Sequence, residues 1–303
     1  MIPKLYYADH IELPLPSDHR FPADKYLKTR LKLKEQLGLA ENDFLPSPLA
    51  SFDDLCLVHD RAYVDGIFEG SLSDRAHKKI GFPWSQGLVN RCRASTGGTY
   101  HAALGALRDG YGAQLAGGTH HAHFDFGAGY CVFNDFAVTI AKLKQEGSIG
   151  RVAIIDLDVH HGDGNASLLS HKSYTFVFSM HGAKNYPARK PDSDLDIAME
   201  DGTGDDEFCQ RLESSLPQIA SFEPDLILYQ AGVDALEEDR LGRLALSHQG
   251  LIRRDEIVFA FARAFRIPIV HVLGGGYCHP IDPTVEAYVN TFKTAFKTFG
   301  FSK

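Results

Sequence analysis

The chain has 303 residues, 44% of them hydrophobic, and its 39 acidic and 31 basic side chains leave a net charge of −8. That length can bury a large core and α/β sheets of this size commonly fold as one domain, so one domain over 1–303 is expected; the acidic balance argues against a nucleic-acid surface, serves solubility and mildly favours a cationic substrate. The scattered Cys56, Cys92, Cys131, Cys209 and Cys278 lack a Cys-x-x-Cys pair, which speaks against a disulfide framework or a cysteine zinc site and fits a reducing cytoplasm; neither an export signal nor a membrane span is expected.

In chain order, a helical pattern at 24–37 precedes a polar, Pro-bearing stretch at 38–51 that reads as surface loop. A long helical pattern at 85–107 leads into a strand-like run at 114–116, and a helix at 135–145 into the β-branched run 152–157. After a further strand-like run at 175–179, residues 185–204 read as a second surface loop, and both loops are candidates for the rim of a substrate channel. Helices at 205–220, 248–265 and 284–299 then alternate with strands at 226–229 and 267–273. Such alternation predicts an α/β fold, a mostly parallel sheet with helices on both faces. No repeat or domain linker is visible.

Two polar clusters about forty residues apart carry the chemistry: Gly117-Gly118-Thr119-His120-His121-Ala122-His123 and Asp156-Leu157-Asp158-Val159-His160-His161-Gly162-Asp163. The second follows the apolar run 151–155, which puts it at the carboxyl end of a strand, where open α/β sheets place their sites. If extended, it would show Asp156, Asp158 and His160 on one face and Leu157 and Val159 on the other. Carboxylate and imidazole are good Zn²⁺ ligands, and a catalytic zinc keeps three protein ligands with one open position. Asp158 and His160 supply two, and Asp234, ending a second apolar run from Asp225, is the candidate third. Each piece also has a bland reading: an Asp at a strand end caps or turns, and a His-His pair sits in a solvated loop. Three strand ends that all finish in ligand types favour a metal-dependent hydrolase. His121 is then the candidate general base, since imidazole titrates close to neutral pH.

Gly-Gly-Thr-His120-His121-Ala, Asp156-Leu-Asp158-Val-His160-His-Gly-Asp163-Gly, Ala-Gly-Val-Asp234 and Leu-Gly274-Gly275-Gly276-Tyr277 resemble, in order, the four signature segments of the zinc-dependent histone deacetylase family. Stretches 13–22, 95–99, 129–135 and 201–207 resemble it as well, and the His19-Arg20-Phe21-Pro22 run is most similar to bacterial deacetylase-like and class IV members. The resemblance implies the three-layer arginase/deacetylase-like fold and removal of an acetyl or longer acyl group from lysine, or from a related amine such as a polyamine. It implies an electrostatic role for His120, with Asp156 behind His120 and Asp163 behind His121, where a carboxylate fixes the tautomer and raises basicity. Tyr277 would donate to the oxyanion. Gly129, Tyr130 and Gly275 would line the substrate tunnel, although many members carry Phe at the Tyr130 position. A K⁺ ion would sit on the Asp156 side chain, the Ser179 hydroxyl and the carbonyls of Asp158, His160 and Met180, hard oxygen ligands that suit it. His123, His161 and His181 read as structural or rim residues. Two alternatives stay open: an arginase-like dimanganese hydrolase, against which Leu236 stands where a second acid would be needed, and an acetoin-utilisation-type or non-catalytic acyl-binding protein, against which His121 and Tyr277 stand. Acyl length, the amine released, Zn²⁺ against Fe²⁺ and oligomeric state stay open too.

Overall fold

The computed structural model describes residues 2–301. In chain order its elements are β1 (Leu5–Tyr7), α1 (Lys25–Leu37), β2 (Phe44–Pro46), α2 (Phe52–Cys56), α3 (Arg61–Glu69), α4 (Asp74–Ile80), α5 (Gln86–Asp109), β3 (Tyr111–Leu115) and α6 (Asp135–Gln145). These are followed by β4 (Val152–Asp156), α7 (Asp163–Leu169), β5 (Thr175–Gly182), β6 (Leu195–Met199), α8 (Asp205–Phe222), β7 (Leu226–Gln230), α9 (His248–Phe265), β8 (Ile269–Val272) and α10 (Asp282–Phe299). The eight strands form one sheet in the order β2-β1-β3-β8-β7-β4-β5-β6, and every strand pair is parallel.

Because side chains alternate along a strand, each central strand feeds two cores. Ala153 and Ile155 of β4, Ile227 and Tyr229 of β7 and Ile269 of β8 pack with Leu33 of α1, Phe208 of α8, Phe259 of α9 and Phe292 of α10. Val152 and Ile154, Leu226 and Leu228, and Val270 and Val272 pack on the other face with Ala103 of α5 and Phe136 and Ile140 of α6. A third cluster, with Tyr63, Ile67, Phe82, Leu88 and Phe133, fills the space between α3, α5 and the loop before α6. The layered parallel sheet expected from the alternation is thus present. Helices α5, α6 and α9 start where hydroxyl or amide side chains cap them: Ser85 accepts from the Leu88 N–H, Asn134 from Ala137 and Ser247 from Gly250.

Two expected loops contain strands. Residues 38–51 hold β2 and residues 185–204 hold β6, the two edges of the sheet, and neither β1 nor the helices α2, α3, α4 and α7 were anticipated. The strand expected at 114–116 lies earlier, at Tyr111–Leu115. No described helix is long and apolar enough to cross a membrane.

Candidate active site

Strands β3, β8, β7 and β4 are neighbours in the sheet, so the segments that leave their carboxyl ends, around His120, Tyr277, Asp234 and Asp158, converge although they are far apart in sequence. The extended reading of 156–160 needs correction, because β4 stops at Asp156. The Asp158 N–H turns back to the Asp156 carboxylate at 3.3 Å, and Asp156 serves His120 while Asp158 faces His160. Leu157 and Val159 do point into the core.

His160 Nδ1 lies 3.0 Å from Asp158 Oδ1 and 3.1 Å from Asp234 Oδ2, and one ligand atom from each of the three residues lies within 4.8 Å of the others. Both carboxylates are buried. Burial and the adjacent Asp158 charge push Asp234 up to about 7, while for Asp158 the neighbouring His120 and His160 imidazoles overcome burial and hold its carboxyl well below the usual range. Two acids in one dry pocket disfavour joint ionisation unless a cation joins them. The donors fit a divalent ion, two oxygens and one nitrogen in a space kept open by glycine: a Cβ on Gly275 would stand 1.8 Å from Asp234 Oδ2, and one on Gly232 2.4 Å from Asp158 Oδ2.

His120 and His121 lie beside this set with ring centroids 4.1 Å apart and their planes tilted by 46°. The His121 Nδ1–H donates to Asp163 at 2.5 Å, and burial together with the charge of His120 keeps the ring neutral, its pKa lowered to about 3. Its Nε2 is therefore left with a free lone pair. His120 Nδ1 lies 2.8 Å from Asp156; burial opposes its charge, but Asp156 and Asp158 prevail and raise it to about 9. Tyr277 is buried and burial raises its hydroxyl well above 10, so it is a neutral donor.

The main chain of Tyr277 is held by three groups that the sequence did not reveal. Its N–H donates to Asp239 at 2.6 Å, its carbonyl accepts from Arg240 at 3.0 Å, and the carbonyl before it, on Gly276, accepts from Lys25 at 3.1 Å. Lys25 is fully buried with its ammonium 4.8 Å from the Tyr277 ring centre and near the rings of Phe21, Tyr26 and Tyr288. Burial lowers its pKa to about 8, against the pull of Asp234 and Asp239. Lys25 sits three residues after the His-Arg-Phe-Pro run, and only that proximity could have drawn notice.

These groups face a cavity of about 530 Å³ lined by Phe21, Gly129, Tyr130, Tyr186, Gly275 and Tyr277, among others. Gly129 is needed for close approach: its φ is +52°, and a Cβ there would stand 2.6 Å from the His121 ring. Tyr130, also left-handed at φ 67°, packs its ring 5.1 Å from Phe21 and 5.3 Å from Phe82 and donates its N–H to Ile80. Tyr186, from the expected rim segment, meets His121 edge-on at 4.8 Å.

The remaining histidines separate. His123 reaches Asp163 at 3.1 Å and shares it with His121. His161 and His181 are buried rather than on the rim, their rings 4.6 Å apart and His161 bonded to Asp196 on β6 at 3.1 Å. Of the residues expected around K⁺, Asp156 and Ser179 are register partners on β4 and β5, and the Ser179 hydroxyl lies 3.0 Å from His181.

The sequence pattern of the Histone deacetylase domain matches residues 19–292. The chain belongs to the histone deacetylase family. It is 40% identical to an uncharacterized protein of Picosynechococcus, covering 93% of this chain and 94% of that one. Histone deacetylase 2 of Arabidopsis thaliana is 33% identical over 86% of this chain and 70% of its own, and the acetoin utilization protein AcuC of Staphylococcus xylosus is 30% identical over 82% and 70%. The crystal structure of an HDAC homolog complexed with SAHA superposes with a TM-score of 0.80 at 25% identity, covering 99% of this chain and 89% of that one. An HDAC homolog from Aquifex aeolicus shares the fold at a TM-score of 0.79 and 24% identity over 98% and 88%. The fold is therefore that of the arginase/deacetylase group, and the family is one of deacetylase-type hydrolases.

Proposed function

We propose that this chain is a metal-dependent deacylase that hydrolyses an N-acyl amide, acetyl or longer, of lysine or a related primary amine. The observation that carries this reading is a neutral, Asp163-backed His121 beside the buried Asp158, His160 and Asp234. Those three residues would hold Zn²⁺, or Fe²⁺ with the same donors, and the ion when bound supplies Lewis-acid polarisation of the acyl carbonyl and acidifies water. His121 Nε2 takes the proton of the attacking water and returns it to the leaving amine, since the tautomer set by Asp163 leaves that nitrogen as acceptor. The positive charge of His120 favours the anionic transition state, and the Tyr277 hydroxyl donates to the carbonyl oxygen as it gains charge. Gly129, Tyr130 and Gly275 let an acyl-amine chain lie in the tunnel. A K⁺ held by Asp156, Ser179 and the carbonyls of Asp158, His160 and Met180 would brace the strand ends beneath. The relatives named for acetoin utilization favour, as a second reading, the same chemistry in the service of acetoin metabolism.

The test is turnover of acyl-lysine peptides and acetylated amines by the zinc-loaded protein. Tyr277→Phe and His121→Ala should each lower kcat by about 10²- to 10³-fold. No turnover by the loaded parent, or undiminished turnover in both variants, refutes the reading.

A further inference from the structure

The overall charge of −8 suggests a protein that attracts cations, yet the cavity mouth has the opposite sign. Lys78, Lys79, Lys184 and Arg243 line it, and among the described residues the one lining acid is Asp158, which belongs to the candidate metal set. Lys78 and Lys79 lie in the last turn of α4, and the chain there is tied to the tunnel wall: Gly129 donates its N–H to the Lys79 carbonyl at 3.3 Å and Tyr130 to that of Ile80 at 2.7 Å. The Lys79 ammonium lies over Phe126, 3.2 Å from the ring centre, and neither lysine has a carboxylate within ion-pair distance among the described residues. Asp125 and Asp163 attract Lys79 only from farther off.

Lys184 and Arg243 share one acid, Asp201, at 3.6 and 3.2 Å, with Glu200 4.0 Å from Lys184. Next to them Lys190 gives its three donors to the carbonyls of Ala183, Asn185 and Pro187, so it fixes the rim segment with no carboxylate in ion-pair distance among the described residues. A cleft lined by one sign of charge focuses its field into the opening. An acyl-lysine within a basic tail, or an acylated polyamine, would meet like charge at this rim.

We infer that the substrate presents negative charge beside the scissile amide: an acyl-lysine in a protein segment flanked by aspartate or glutamate. This deepens the deacylase reading and rests on it, because the rim selects among acyl-amines only if the site below cleaves them.

The experiment compares three acetyl-lysine peptides of equal length with aspartate, uncharged or lysine flanks. At low salt kcat/KM for the aspartate peptide should exceed that for the lysine peptide by about tenfold or more, with the uncharged one between, and the gap should close near 1 M salt, where screening acts within about 3 Å. Charge reversal at two exposed positions, K78E together with K79E, should lower kcat/KM for the aspartate peptide at least tenfold more than for the uncharged peptide. Fluorescence anisotropy of the same labelled peptides on the Tyr277→Phe protein ranks their binding without any turnover. If no peptide is cleaved, the deacylase reading fails, and the anisotropy ranking still decides this inference. Equal binding of the aspartate and lysine peptides, or preference for lysine flanks, overturns it.

Discussion

A single methyl group at Gly275 should empty the metal set without unfolding the chain. A Cβ built there would lie 1.8 Å from Asp234 Oδ2, 2.6 Å from its Cγ and 2.8 Å from Asp158 Oδ2, whereas real Cβ atoms essentially never approach closer than 3.0 Å. The Asp234 oxygen would have to retreat by at least 3.0 − 1.8 = 1.2 Å. It has no room to do so cheaply, since Asp234 Oδ1 accepts from the Val159 N–H at 2.9 Å and Oδ2 is 3.1 Å from His160. Zinc–carboxylate bonds of about 2.0 to 2.2 Å tolerate roughly 0.2 Å of error. A displacement several times that tolerance removes one ligand and disturbs a second, so zinc affinity should fall by about 100-fold or more, or ~2.8 kcal/mol. Competition against a chromophoric chelator measures it. Gly105→Ala is the control: it lies inside α5 with nothing within 4 Å of its would-be Cβ, so the alanine should gain about 0.5 to 1 kcal/mol in urea unfolding and leave zinc affinity at the parent value. A Gly275→Ala protein that binds one zinc as tightly as the parent would refute the assignment of Asp158 and Asp234 as ligands.

Two further outcomes follow from buried groups. Lys25→Met removes the charged hydrogen bond to the Gly276 carbonyl and the cation beside the Tyr277 ring, so kcat should fall about tenfold or more with KM little changed, and Lys25→Arg should recover part of it; parent kinetics in Lys25→Met would show that Tyr277 is positioned without it. Stability should also fall with acid. His59 is locked neutral, one ring nitrogen donating to the His123 carbonyl at 2.8 Å and the other accepting from the Asn134 N–H at 2.9 Å, and burial lowers it to about 4. His271 is lowered to about 3 by burial and then by Arg254. The unfolded chain takes up these protons as pH drops through about 6.5, while the folded chain refuses them until its own lower values, so stability present at pH 7 is lost in that window. At pH 5 the loss is roughly 2 kcal/mol for each histidine. Urea midpoints at pH 7 and 5 for the parent and His59→Gln measure it, and an identical pH slope in the two would discard burial of His59 as a cause.

What the sequence disclosed follows the range of the interactions involved. The inner strands were legible because Val152 to Asp156 and Leu226 to Gln230 are buried on both faces and so nearly continuous apolar runs, and α6 and α9 because largely apolar buried faces, interrupted in α9 by Arg254 and Asp255, begin at a side-chain cap. Strand β1 and the two edge strands were hidden. β1 and β2 are three residues each, β2 ends in a proline, and β6 exposes Asp196 and Ala198, so each gains its identity from its neighbour rather than from its own pattern. The short helices left unread did carry local signals, such as the reciprocal Ser51–Asp54 cap of α2 and the left-handed glycines after α3 and α4. The candidate metal ligands, the histidine pair and the tyrosine were visible because each chemical group lies in a compact segment at a strand end. Lys25 and Asp239 were not, since both act on the main chain of a segment remote in sequence, Lys25 on a carbonyl 251 residues away.

The same separation of local from global explains the charge. The net charge over 303 residues serves solubility and only mildly favours cations, but the field that a substrate meets is set by the few groups within a screening length of the opening, about 10 Å at 0.1 M salt. Within the cavity, burial assigns protonation states. It raises Tyr277 and keeps it a donor, lowers His121 and keeps it an acceptor, and raises Asp234 beside an Asp158 that His120 and His160 hold ionised. With a divalent ion the two carboxylates reach neutrality, and neither needs a proton to remain in the interior. Desolvation thus prepares acceptor, donor and candidate metal ligands together, so admitting water by replacing Tyr130 with alanine would loosen all three at once.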